Sequence, residues 1–107
     1  MKQFLIPTNK GIKPVTEDNI IRVEASSNYC KVFIMNERPL VVAKVLQWFE
    51  DKLPTDIFCR IHRGHIINRL YVTDVTPDNT LILINGDTVK VSRRKKDLYK
   101  NLLKQTA

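Results

Sequence analysis

Cysteine is scarce in this chain: Cys30 and Cys59 are the only two, and each sits inside an apolar alternation. A disulfide scaffold is therefore excluded, and both read as small buried hydrophobes of a reducing compartment. Glycine is scarcer than average, at 3 in 107 residues, and no glycine-rich phosphate loop or G-x-S-x-G elbow occurs. Long apolar runs are absent too, so nothing approaches the roughly 18–20 residues of a membrane span. The start, Met1 to Pro7, has too short an apolar run for a secretion signal and no small-residue cleavage site. A cytoplasmic protein without membrane association is expected.

Acidic residues are also few, 11 against 18 Lys and Arg, and their distribution is uneven. Residues 1–56 hold 8 basic and 7 acidic side chains, a balance of +1. Residues 57–107 hold 10 and 4, a balance of +6, so nearly all of the net +7 belongs to the second half. That asymmetry points to a polyanionic partner, without separating DNA from RNA or a membrane surface. Size and an apolar fraction of 43% suit one domain, 1–107, with a single core.

What is present is mostly strand. Phe4–Ile6 and Ile12–Val15 flank a turn at Asn9-Lys10-Gly11, and residues 19–25, 29–35 and 40–42 alternate between short turns as an antiparallel meander. Val42, Leu46, Phe49 and Leu53 step by four, three and four, which predicts one amphipathic helix stopped by Pro54. Residues 70–76 form a further strand. Residues 81–84 and 87–91 flank Asn85-Gly86, which predicts a two-residue type I′ hairpin with Ile82 opposite Val89 and Ile84 on the core face. Ser92 reads as the N-cap of a last helix carrying Leu98 and Leu102. The expected class is mainly β: small antiparallel sheets built as meanders and hairpins, with one or two short helices.

The densest stretch is Phe58–Arg69, which holds both histidines and three arginines. Strand alternation sets Phe58, Arg60 and His62 against Ile57, Cys59 and Ile61, with a turn at Arg63-Gly64. Cys59 and His62 then point to opposite faces, which opposes thiolate chemistry. His62 and His65, three apart on a strand and turn, are not expected to share a face, and no second ligand cluster accompanies them. No metal, no cofactor and no catalytic group is expected.

For nucleic acid, three polar or basic turns stand out. They are Asn28-Tyr29 with Lys31, then His62-Arg63-Gly64-His65, then Arg93-Arg94-Lys95. Arginine and histidine reach guanine acceptors, and arginine clamps phosphate. Gly64 lets the backbone turn sharply or approach closely. Three cations at a helix start oppose the helix dipole, a local cost that marks a phosphate-binding site. No helix-turn-helix pair and no aromatic RNA-binding strand is visible, so loops on a β scaffold must do the reading. A basic β module with sequence-independent contacts to RNA or protein is the alternative.

Three blocks carry a family resemblance. Phe58-x-Arg60-Ile61-His62-Arg63-Gly64-His65-Ile66-Ile67-Asn68 is similar to F-x-R-x-H-[RK]-S-[FY]-[IV]-[VI]-N. Glu24-Ala25-Ser26-Ser27-Asn28-Tyr29 resembles E-A-x-x-N-Y, and Val91-Ser92-Arg93-Arg94 resembles V-S-R-R. Together, in this order and over about 15–104, they resemble the LytTR domain, the β-rich DNA-binding domain of bacterial response regulators in two-component systems. Gly64 stands where that pattern has serine, and His65 where it has an aromatic.

The resemblance implies three small antiparallel sheets and loops that enter successive major grooves of double-stranded DNA. It assigns base contacts to Asn28 or Tyr29, Arg63 and Arg93, leaves His62 to orient its turn or touch phosphate, and makes Asn68 a structural turn residue. It also implies two copies on direct repeats and an upstream signalling protein. No receiver domain is expected within these residues.

Overall fold

The computed structural model describes residues 2–93. Two strands, β1 (Gln3–Thr8) and β2 (Gly11–Thr16), form an N-terminal hairpin; Gly11 closes its Asn9-Lys10 turn at φ +119°. A five-stranded antiparallel sheet follows, built from β3 (Ile20–Ser26), β4 (Tyr29–Ile34), β5 (Leu40–Val42), β6 (Phe58–His62) and β7 (His65–Asn68). Its spatial order is β5-β4-β3-β7-β6. The helix α1 (Leu46–Lys52) lies between β5 and β6 in sequence. Finally β8 (Val72–Val75), β9 (Thr80–Leu83) and β10 (Thr88–Lys90) make a three-stranded sheet. The chain is mainly β, as expected.

The five-stranded sheet is buried on both faces. On one side Val23, Cys30, Val32, Val42, Phe58 and Ile66 pack under the N-terminal hairpin (Phe4, Ile6, Val15) and α1 (Leu46, Phe49, Leu53). On the other, Ile21, Cys59, Ile61 and Ile67 meet Leu81, Leu83, Val89 and Val91. Burying both faces explains why adjacent residues such as Phe58 and Cys59, or Ile66 and Ile67, are both inaccessible. The single expected core is therefore two cores divided by a sheet. Cys30 and Cys59 belong to different ones.

Aromatic edges fix the helix side. Trp48 meets Phe49 edge-on at 4.9 Å and Phe4 at 5.8 Å. Such pairs contribute about 0.5–1.5 kcal/mol each beyond area burial. Asn68 is fully buried at the end of β7: its Nδ2 donates to the Ile20 carbonyl and its Oδ1 accepts from Leu70 N, both at 2.9 Å. That ties β7 to the start of β3 across 48 residues and leaves no amide group unsatisfied.

Two expectations fail in detail. The helix is shorter than its stripe, because Val42 pairs with Cys30 in β5 instead of opening the helix. Consecutive β-branched residues Val41-Val42 favour the strand, and Val42 still reaches the same core as Leu46, Phe49 and Leu53. The β9–β10 connection is not a two-residue type I′ turn. Gly86 N donates to the Leu83 carbonyl and only Gly86, at φ +88°, is left-handed. This is a three-residue loop with a glycine bulge, further held by Asp87 N donating to Asn85 Oδ1. The register moves by one: Leu81 lies opposite Val89 and Ile82 opposite Thr88. Leu81 and Leu83 therefore face the core, and Ile84 is 54% exposed.

Candidate nucleic-acid interface

Register places the first two turns side by side. Ser26 pairs with Tyr29 around Ser27-Asn28, and His62 pairs with His65 around Arg63-Gly64. Since β7 pairs with β3, with His65 opposite Glu24, both turns emerge from the same end of the five-stranded sheet. Ala25 N donates to the Gly64 carbonyl at 2.8 Å, which joins them directly. The third segment arrives there too, because Ser92 N donates to the Ile61 carbonyl at 2.8 Å. Arg93 is exposed just beyond it. Arg94, Lys95 and the expected last helix lie outside the described residues.

The β6–β7 turn is braced from within. His62 Nδ1 accepts from Gly64 N at 3.1 Å, so this nitrogen carries no proton and the other must be the donor in the neutral ring. Arg60 Nη2 donates to the Arg63 carbonyl at 2.7 Å, while its Nη1 donates to Glu50 at 2.9 Å and Gln47 at 3.2 Å on α1. The sequence offers Arg60 only as a cation on an alternating strand, and its service as a strut was not visible there. Arg63 itself is exposed at the tip. Gly64 does not need its glycine freedom: a Cβ there would make an ordinary 3.7 Å contact with His62 Nδ1, and its φ is not left-handed. A serine, as in the family pattern, fits this position.

By contrast, the β3–β4 turn rests on backbone strain. Ser27 adopts φ +56°, a conformation that glycine takes without penalty and serine does not. Asn28 is exposed, and Tyr29 and Lys31 are half-buried.

His62 and His65 do share a face, contrary to the expectation from their spacing. A two-residue hairpin turn sets residues three apart directly opposite each other, and the rings lie 5.3 Å apart. A register irregularity between Arg60 and His62 takes His62 out of the Arg60 row. Among the described residues no group of three or more His, Cys, Asp or Glu side chains could hold a metal.

Cross-strand pairing then lines up Lys31, Glu24, His65 and His62 on four neighbouring strands. Glu24 would repel phosphate, but Arg22 neutralises it at 2.8 Å. Arg22 is only 8% exposed, lies over the Phe33 ring at 3.8 Å, and also bonds Asp87 at 2.9 Å. It thereby ties Asp87, in the loop between β9 and β10, to β3 of the five-stranded sheet. His65 Nδ1 is buried without a hydrogen bond, 3.9 Å from Glu24. Burial pushes the His65 pKa below the ordinary 6.5, with Glu24 acting against it and His62 and Arg22 adding to it. Burial likewise raises the Cys30 thiol, with Arg60 opposing, so that thiol is a poor nucleophile.

Comparison with known proteins identifies the family. A family model described as the LytTr DNA-binding domain matches residues 10–104. The sensory transduction protein LytT of Enterococcus faecalis is 32% identical over 83 residues, covering 74% of this chain and 34% of that protein. The protein of the same name from Bacillus cereus is 31% identical over 108 residues, covering 97% of this chain and 44% of its own length. This chain thus spans less than half of either relative. A solved LytTr DNA-binding domain from Bacillus cereus superposes with a TM-score of 0.81 at 29% identity, covering 96% of this chain and 97% of that one. With three polar segments gathered at one sheet end and the family model matching nearly the whole chain, this protein belongs to the LytTR family of DNA-binding domains.

Proposed function

We propose that this chain is a non-catalytic domain that reads specific sequences in double-stranded DNA and regulates transcription. The observation that carries this reading is the convergence of the Asn28, Arg63 and Arg93 segments at one end of the sheet. Arg63, exposed on a braced turn, is positioned to offer a bidentate donor pair to guanine, the commonest specific contact. Asn28 or Tyr29 and Arg93 supply the flanking base contacts, and Lys31 and the two histidines provide further donors. Arg94 and Lys95 continue the basic run in sequence.

Entry of these loops into successive major grooves, as the family resemblance implies, is part of this reading. Two copies on direct repeats, responding to an upstream signalling protein, complete the proposal. Selection from a random duplex library tests it. An enriched motif under competitor DNA is expected, with affinity falling by roughly three decades between 50 and 200 mM salt if six or more phosphates are contacted. Recovery of no motif, or equal affinity for single-stranded RNA, would overturn it.

A further inference from the structure

A groove of about 700 Å³ opens between the tip of the N-terminal hairpin and the β3–β4 turn, lined by Pro7, Thr8, Asn9, Asn28, Tyr29 and Lys44 among others. Its position follows from register. Val42 pairs with Cys30, so the chain leaving β5 runs through Ala43 and Lys44 past Tyr29, toward the end where the turns emerge. Two residues already read as DNA contacts, Asn28 and Tyr29, therefore form one wall of a groove whose other walls come from the hairpin tip and Lys44.

The charge there has one sign. No carboxylate of the described residues lines the groove, and Lys10 sits on the hairpin tip next to Asn9. Among the described residues, neither Lys10 nor Lys44 has an acidic side chain within ion-pair distance, whereas nearby Lys13 is paired with Glu37 at 3.4 Å. Lys44 Nζ stands 5.7 Å over the Trp48 ring, which leaves its charge available. We propose that Lys44, in the wall of this groove, and Lys10, which lines the neighbouring groove of the hairpin tip beside Asn9, bind the phosphate backbone of the duplex flanking the bases that Asn28 and Tyr29 reach. The proposal rests on the DNA-reading function above and adds a contact surface from a part of the chain with almost no net charge.

Dimensions support phosphate over base contact for this surface. From β5 to β6 the sheet end spans four inter-strand spacings, about 19 Å. A major groove is only about 12 Å wide. Lys44 follows β5, the edge strand on the side away from the β6–β7 turn, and so sits where the phosphate strand bordering the groove that Asn28 and Tyr29 enter would run. Lysine is a point charge suited to that contact, in contrast to the forked arginine at the tip of β6–β7.

The test compares the wild type, the double variant Lys10→Gln with Lys44→Gln, and Arg63→Ala on the selected duplex with long flanks. Each neutralised phosphate contact contributes about 0.9 to the slope of log affinity against log salt. The double variant should therefore show a slope shallower by about 1.8, a roughly twelvefold smaller loss between 50 and 200 mM salt, with the preferred sequence unchanged. Trimming the duplex flank on that side should abolish the difference from wild type. A wild-type slope in the double variant, while Arg63→Ala loses selectivity, would overturn this inference and leave the DNA reading intact. If Arg63→Ala also keeps full selectivity, both fall.

Discussion

Two turns at the same sheet end are held in place by opposite means. The β6–β7 turn is braced by side chains: Arg60 grips the Arg63 carbonyl and His62 Nδ1 caps Gly64 N, beside a backbone bond from Ala25 N to the Gly64 carbonyl. Among the described residues the β3–β4 turn has no comparable side-chain strut, and it holds Ser27 in a left-handed conformation. The difference teaches that Arg63 is presented rigidly from a turn tied to α1, through Glu50 and Gln47, whereas Asn28 is presented by the local preferences of two residues. Preorganisation of that kind lowers the ordering cost of binding.

Breaking the strut should have the largest effect. Arg60→Met leaves Glu50 and the Arg63 carbonyl without their donor; hydrogen bonds to charged groups are worth about 1.5–3 kcal/mol. A loss of that order in urea unfolding is expected, together with weaker discrimination between preferred and random duplex, because Arg63 loses its support. Next is Arg63→Ala, which should leave unfolding within about 0.5 kcal/mol of wild type, as an exposed change does. It should nevertheless cost about 1–3 kcal/mol in preferred-site affinity, measured by fluorescence anisotropy.

The histidine beside the braced turn supplies a smaller, pH-dependent effect. His65 has a folded pKa below the unfolded value near 6.5, so the unfolded chain takes up the proton first. Its contribution to stability is complete above the unfolded value and is lost as pH falls through 6.5 toward the folded pKa. Urea unfolding of the wild type between pH 7.5 and 5 should show this decline, and His65→Gln should flatten it. The smallest change is expected at the strained turn. Ser27→Gly removes a left-handed serine, whose cost is about 1–2 kcal/mol, and replaces it with a residue of greater unfolded-state entropy. A net gain under about 1 kcal/mol should appear as a modest rise in Tm.

Much of this fold was legible because its hairpins announce themselves. Asn9-Lys10-Gly11, Ser27-Asn28 and Arg63-Gly64 each interrupt an alternation, and each is a turn between paired strands. The division into two cores was not legible, since period-two alternation tells only which residues share a face. Residues 81–84 gave no such alternation, and with four apolar side chains in a row the pattern could not choose which two point inward. The bulge at Gly86 made that choice.

Of the site, the three segments were readable as basic or polar turns, but their meeting was not. It depends on β7 entering beside β3 and on Ser92 bonding to Ile61, contacts between residues far apart in sequence. Arg22 and Arg60 escaped notice for the same reason. Each is a cation on a strand until the partner from another element, Asp87 or Glu50, is in place.

On the proposed function, one end of the five-stranded sheet meets DNA as a single surface. Backbone amide shifts recorded while titrating the protein with its selected duplex test this directly. Signals of residues 27–29, 63–65 and 92–93 should move together at one saturation point, while the opposite sheet end around Asn36, Glu37 and Asn68 stays still. Movement concentrated around Asn36 and Glu37, with Ser27–Tyr29 and Arg63–His65 unmoved, would contradict the account.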